Sequence, residues 1–266
     1  MENKNIKICV LGAGNIGAAM VRGLAGSGVS VSVWNRSARR LEGLAPLKNV
    51  SCSTDMAAAL DSCDIALVCV EGRALDSVTA KMASLFGTHK PIVGSCAAAS
   101  TLAGLSESLS TPDGPHTRVF RLLPNIGATV GMSTNLYCSA GLSEAEDRNI
   151  IGLFGATGTT AKIEERHFQA AMALSSCGIA YALRYVRATM QAGVQAGLDP
   201  DTACALSAGA VKGAMQLLQA SEGLHPEALV DSVCTPGGVT IRGLNAMEDA
   251  GFSAAVVKGL LATLTR

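Results

Sequence analysis

An α/β protein is expected: an N-terminal doubly wound sheet, then an all-helical half. Three observations predict it. Gly12, Gly14 and Gly17, spaced G-x-G-x-x-G, follow an apolar run at Ile6–Leu11 and open a stretch of helix formers, Ala18, Ala19 and Met20. Strand-like and helix-like runs then alternate to about Glu164, which calls for right-handed parallel crossovers and helices on both faces of a sheet. Beyond that point strand signals stop.

The elements follow in order. Lys7–Leu11, Ser30–Trp34, Asp64–Val70, Pro91–Val93 and Arg118–Leu122 are short apolar runs bounded by turn residues, and read as strands. Helix-like runs separate them at Asn15–Ser27, Arg39–Leu44, Met56–Asp61, Arg73–Phe86 and Thr101–Leu109. Asn135–Ala140 and Thr160–Ile163 read as further strands flanking a helix at Glu144–Phe154. The first domain is therefore expected over residues 1–164 and the second over 165–266. In the second, His167–Ala196 is a long helical pattern with an interruption at Cys177-Gly178. Asp199-Pro200-Asp201 joins a capping aspartate to a first-turn proline and starts a helix to about Ala220. Pro226–Ser232, Thr240–Asp249 and Ser253–Thr265 are shorter helices.

Composition narrows the function classes. Of 266 residues, 48% are hydrophobic and 16% charged, enough apolar material for a substantial core. The 21 basic and 21 acidic residues cancel, which argues against nucleic acid or an anionic membrane as the main partner. No apolar run approaches the ~20 residues of a membrane span, and MENKNIKI lacks the layout of a signal peptide. The nine cysteines fall singly, with neither C-x-x-C nor zinc-like His pairing, and read as small core residues in a reducing compartment. The chain is expected to be cytoplasmic. Aromatics make up only 3%, so burial must come from extensive contact between small side chains, and an oligomer is one way to obtain it.

Each glycine of the triplet has a job in a Rossmann-type strand–turn–helix. Gly12 turns the chain, Gly14 leaves room for a pyrophosphate and Gly17 lets helix and strand pack closely, with the helix dipole and N–H groups on the phosphates. The alternative is a plain structural turn. After the second strand an NAD site usually has an Asp or Glu for the ribose hydroxyls, but this chain has Trp34-Asn35-Arg36, then Arg39-Arg40. With no carboxylate to repel a 2′-phosphate and three guanidiniums to pair with it, NADPH is expected, NADH being the alternative. In the second half, Thr235-Pro236-Gly237-Gly238-Val239-Thr240 joins two helices, with the second expected to begin at Thr240. Its glycines free backbone N–H groups to hold a small carboxylate; a glycine-rich turn with a threonine N-cap is the other reading.

Taken together, the chain resembles pyrroline-5-carboxylate reductases over nearly its whole length. The matching pieces, in family order, begin with Leu11 to Met20, Asn35-Arg36, Ser95-Cys96-Ala97-Ala98 and Leu102-Ala103-Gly104-Leu105. Arg121-Leu122-Leu123-Pro124-Asn125, Ala192-Gly193-Val194, Ala196-Gly197-Leu198 and Thr235 to Ile241 complete them. The resemblance implies a Rossmann NADP-binding domain followed by a helical dimerisation domain, with the substrate site where interlocked helices meet the neighbouring nucleotide domain. It implies that Gly12, Gly14, Asn15, Ile16 and Gly17 hold the pyrophosphate, and that Asn35 and Arg36, with Arg39 close by, meet the 2′-phosphate. Cys69, Val70, Ser95, Cys96, Ala97 and Asn125 would lie along the ribose and nicotinamide. Thr235, Gly237, Gly238 and Val239 would hold the carboxylate of a cyclic imine, and Thr240 would place its hydroxyl on the ring nitrogen. Neither metal nor nucleophile is needed, since a protonated imine is already electrophilic. Orienting the two rings can lower the barrier by ~7–11 kcal/mol.

Three departures bear on substrate fit. Cys69-Val70-Glu71-Gly72 stands where the family usually reads Ala-Val-Lys-Pro, reversing a charge beside the cofactor and loosening the loop. Ser176-Cys177-Gly178-Ile179-Ala180 replaces Gly-Ser-Gly-Pro-Ala in the long helix, which weakens a proline kink. Ile126-Gly127-Ala128 follows Pro124-Asn125 in place of Thr-Pro-Ala. These departures motivate two rivals, a related reductase of another cyclic imine carboxylate and an NADPH-binding sensor without turnover. β-Hydroxyacid dehydrogenases share the layout but use a lysine in the long helix, and none occurs between Lys162 and Lys212. His89, His116, His167 and His225 read as scattered surface or capping residues, and Glu222 as a solvated helix-end charge.

Overall fold

The computed structural model describes residues 6–87, 90–112 and 114–264, so His89 and Thr265 lie outside the described residues. The chain divides into two units, residues 1–176 and 177–266. In the first, the strands are β1 (Lys7–Leu11), β2 (Ser30–Trp34), β3 (Val50–Ser53), β4 (Ile65–Val68), β5 (Ile92–Ser95), β6 (Val119–Leu123), β7 (Ser133–Ala140) and β8 (Gly158–Lys162). They form one sheet in the order β3-β2-β1-β4-β5-β6-β7-β8. The order reverses beside β1, and such a switch point leaves a crevice beyond the carboxyl ends of β1 and β4. Among the described residues, six α-helices accompany the sheet: α1 (Asn15–Ala25), α2 (Met56–Leu60), α3 (Gly72–Ala83), α4 (Leu102–Ser108), α5 (Glu144–Phe154) and α6 (Phe168–Met172).

Both faces of the sheet are covered, so β4, β5 and β6 are buried along their whole lengths instead of alternating. Side chains still part by the two-residue period of a strand. Ile8 and Val10 join Met20 and Leu24 of α1 and Phe154 of α5 in one core cluster, while Cys9 and Leu11 join Met56, Leu75, Met82 and Leu105 in a second.

Two features of the sheet go beyond the pattern of the sequence. Strand β3 was not expected: VSCS is half polar, and it pairs only with β2 at an edge. Strand β7 runs antiparallel to β6, because their link, residues 124–132, is shorter than the roughly dozen residues of a parallel crossover. The helix expected at Arg39–Leu44 is only a 3₁₀ turn at Ala38–Arg40, followed by turns.

In the second unit the helices are α7 (Gly178–Gln195), α8 (Pro200–Ala220), α9 (Pro226–Val233), α10 (Val239–Asp249) and α11 (Phe252–Ala262). The expected interruption is a π turn at Ala173–Cys177, between α6 and α7. Asp199 caps α8, accepting from the N–H groups of Asp201 and Thr202. Among the described residues of this unit only Ala203 is buried, and Leu183, Leu206, Leu217, Val257 and Leu261 are each more than half exposed. His225 caps α9 and His167 is exposed, but His116 is buried with its ring 5.5 Å from that of Phe86, correcting its expected surface position. Burial lowers its pKa, and a buried imidazole packed on an aromatic ring is a core residue.

Candidate functional site

Strand β1 delivers the glycine turn to the crevice. The Gly12 N–H donates to the Trp34 carbonyl at 2.8 Å, joining the ends of β1 and β2. Gly12 has φ +110, and a methyl built on it would fall 2.8 Å from the Cys69 carbonyl oxygen. A methyl on Gly17 would lie 1.9 Å from the Gly12 oxygen, so helix and turn meet with no room for a side chain. Gly14 is the N-cap of α1, with no side-chain cap and no acid in the first turn. The N–H groups of Asn15, Ile16 and Gly17 are therefore left for an anion. The Arg40 guanidinium comes near Gly14, with Nη1 3.6 Å from a Cβ built there. This cradle fits a dinucleotide pyrophosphate.

Asn35 locks the turn in place. Its Oδ1 accepts from the Ala13 N–H and its Nδ2 donates to the Ser37 carbonyl, both at 3.0 Å. Arg36, Arg39 and Arg40 are exposed, and none pairs with a carboxylate among the described residues. The sequence points to all three guanidiniums for the 2′-phosphate; the structure adds that Arg40, in the 3₁₀ turn, lies close to Gly14.

Cys69 and Cys96 stand just past the ends of β4 and β5, with their sulfurs 3.4 Å apart. Val70 closes over Gly12, its Cγ1 2.9 Å from a Cβ built there. The buried Ser95 hydroxyl accepts from the Ala97 N–H at 3.2 Å and from the Ser100 hydroxyl at 3.1 Å, shaping the turn after β5. Arg121 supports this turn from below. It is buried, donates to the Ala98 carbonyl and pairs with Glu165, both at 3.0 Å, and lies 4.4 Å over the Phe168 ring. Sequence reading found Arg121 only as part of the resemblance; a lone arginine in an otherwise apolar strand was the available signal.

Asn125 is buried and its carboxamide is committed to the protein. Oδ1 accepts from the Gly127 N–H at 2.9 Å, and Nδ2 donates at 3.2 Å to Ser175 in the π turn. It thus positions the loop expected along the nicotinamide. Glu71, the reversed charge, is exposed and ion-paired with Arg73 at 2.7 Å.

In the second unit, residues 235–238 form a type II turn, with Pro236 second, Gly237 at φ +70, and Gly238 N–H bonded to the Thr235 carbonyl at 2.9 Å. A Cβ on Gly238 would fall 2.5 Å from Thr235 Oγ1, so only glycine fits. Gly238, not a threonine, is the N-cap of α10, and the helix starts at Val239 with Thr240 second, correcting the expected start. With no side-chain cap and no acid in its first turn, the helix start leaves its N–H groups for an anion, and Thr235 and Thr240 are both exposed. That arrangement suits a carboxylate and one neighbouring polar atom. Glu222 is exposed, as expected of a solvated helix-end charge.

The sheet order and the glycine cradle define a Rossmann-type dinucleotide-binding fold joined to a helical unit. Residues 7–98 match the model of NADP oxidoreductases described as coenzyme F420-dependent, and residues 165–266 match the pyrroline-5-carboxylate reductase dimerisation model. Curated relatives include pyrroline-5-carboxylate reductases of Glycine max, 34% identical over 76% of this chain and 72% of that protein, and of Methanosarcina acetivorans, 30% identical over 98% and 96%. The fold is that of a Plasmodium falciparum pyrroline carboxylate reductase solved with NADP bound, with TM-score 0.85, 22% identity, and 98% and 96% coverage. The chain belongs to the pyrroline-5-carboxylate reductase family.

Proposed function

We propose that the chain is an oxidoreductase that reduces 1-pyrroline-5-carboxylate to L-proline with NADPH, the last step of proline biosynthesis. In this reading it works in the cytoplasm as a homodimer or a ring of dimers. The observation that carries the reading is the glycine cradle clipped by Asn35 beside an arginine cluster without a carboxylate, in a chain of this family. Bound NADPH supplies the hydride for the imine carbon.

The protein's own residues bind and orient. The amides of Gly14, Asn15, Ile16 and Gly17 receive the pyrophosphate, while Asn35, Arg36, Arg39 and Arg40 surround the 2′-phosphate. Cys69, Val70, Ser95, Cys96 and Ala97 line the ribose and nicotinamide, with Asn125 and Arg121 holding their loops. Thr235, Gly237, Gly238 and Val239 hold the substrate carboxylate against the start of α10. Thr240 puts its hydroxyl on the ring nitrogen. A threonine hydroxyl is too weak an acid to deliver a proton outright, so Thr240 orients the ring and relays a proton from water. The exposed apolar side chains of the second unit, in a region matching a dimerisation model, support pairing with a second copy.

Absorbance of NADPH, followed with pyrroline-5-carboxylate and separately with its six-membered homologue, tests the reading. Faster turnover of the five-membered imine is expected. The π turn at Ala173–Cys177, which ends two residues before Ile179, the position that the resemblance gives to a proline, favours a second reading, reduction of a larger cyclic imine carboxylate. Turnover of the six-membered ring alone would select it, and NADPH binding without turnover of either would contradict both.

A further inference from the structure

Cys69 and Cys96 occupy adjacent places on neighbouring parallel strands. The β4–β5 register pairs Val68 with Ser95, which makes the two cysteines the next pair beyond the ladder, and the Cys96 N–H still donates to the Val68 carbonyl at 2.8 Å. Neighbouring strands lie about 4.7–4.9 Å apart, inside the roughly 4.4–6.8 Å Cα window of disulfides. Both side chains face the α1 core cluster, and their sulfurs are in contact at 3.4 Å. Bond formation at about 2.05 Å asks each sulfur to move well under 1 Å.

We propose that Cys69 and Cys96 form a reversible disulfide at the mouth of the nucleotide crevice, closed by a peroxide-class oxidant and opened by a dithiol reductant. The closed form binds NADPH more weakly, a consequence that rests on the cofactor reading above. In the closing reaction one thiolate attacks a peroxide oxygen, breaking the O–O bond and giving a sulfenic acid and water once a proton is taken up. The second sulfur displaces the sulfenic oxygen as another water. Two thiols lose two electrons and two protons, and hydrogen peroxide becomes two waters. Burial, and then the bond to Cys69, raises the Cys96 thiol well above the usual range, so Cys96 is a slow nucleophile toward the oxidant.

The effect on the cofactor follows from packing. A Cβ on Gly17 would lie 3.1 Å from the Cys69 Cβ, and one on Gly12 lies 2.8 Å from the Cys69 carbonyl oxygen. No slack separates Cys69 from the glycine turn, so pulling its side chain toward β5 is passed to the phosphate amides. Loss of one such bond to a charged phosphate weakens binding by at least about tenfold.

The test uses the full chain, reduced or treated with hydrogen peroxide, with differential alkylation mapped by peptide mass and NADPH affinity read by fluorescence. Joint protection of Cys69 and Cys96, reversed by dithiothreitol, is expected, while exposed Cys204 reports labelling efficiency. The dissociation constant should rise by at least about tenfold on oxidation, and Cys69→Ala and Cys96→Ala should each abolish that oxidised-to-reduced ratio. Both thiols remaining alkylatable after oxidation, or a disulfide that leaves the affinity ratio at one, would overturn the proposal. Failure of the reduced protein to bind NADPH would instead remove the cofactor reading, and the alkylation map would decide the disulfide by itself.

Discussion

Asn35→Asp should turn the dinucleotide preference around. The variant keeps the acceptor for the Ala13 N–H, bonded at 3.0 Å, so the glycine turn stays clipped. It loses the donor to the Ser37 carbonyl, also at 3.0 Å, and brings a negative charge to the place proposed for the 2′-phosphate. At a separation of about 5 Å, one unit charge repels another by about 0.8 kcal/mol in bulk water and about 3 kcal/mol at an effective dielectric of about 20. NADPH binding should therefore weaken by roughly 4- to 160-fold. NADH lacks the phosphate and gains a carboxylate for its ribose hydroxyls, so its affinity should hold or improve. Fluorescence titrations with both cofactors at low and high salt read the two constants, and the NADPH penalty should shrink at high salt because the site is open to solvent. An unchanged NADPH-to-NADH ratio would refute the placement of Asn35 beside the 2′-phosphate.

Other consequences can be checked independently. Thr240→Ala should lower kcat by about 10- to 100-fold, the worth of one hydrogen bond to a charged group, and leave NADPH affinity alone; unaltered kcat would remove the residue from the mechanism. Arg121→Met breaks the pair with Glu165 and the bond to Ala98. It should cost about 2–3 kcal/mol in urea unfolding, below the cost of a fully buried pair because Glu165 reaches water. Glu146 closes a capping box on Ser143 and pairs with Arg118, which hold its carboxyl at about 2, well below the ordinary 4.5. Its stabilisation is complete above about pH 4.5 and is lost as pH falls toward 2. Thermal melts across that window should show a shallower acid loss in Glu146→Gln than in the parent chain.

The nucleotide half was legible where local chemistry and tertiary role agree. Lys7–Leu11 and Glu144–Phe154 form the elements that their patterns announce, and the glycine spacing leads from strand into helix as expected. Legibility failed where a neighbour decides. Val50–Ser53 becomes a strand only because β2 offers an edge, and β7 reverses because its link is short. The pattern of residues favours a threonine at the start of α10, yet the turn that brings Gly238 against Thr235 makes that glycine the cap. Arg40 joins the cradle through a 3₁₀ turn, where a regular helix was expected. The Cys69–Cys96 contact needs the register of two strands whose residues lie 27 apart in sequence, so spacing alone could not announce it.

Transfer of a labelled hydride tests the central reaction most directly. NADPH carrying deuterium at the transferable nicotinamide position is incubated with the protein and pyrroline-5-carboxylate, and the product is read by mass spectrometry. The account predicts proline with a single deuterium at the former imine carbon, formed in step with NADP accumulation. Unlabelled proline, or oxidation of NADPH with no proline formed, would contradict it.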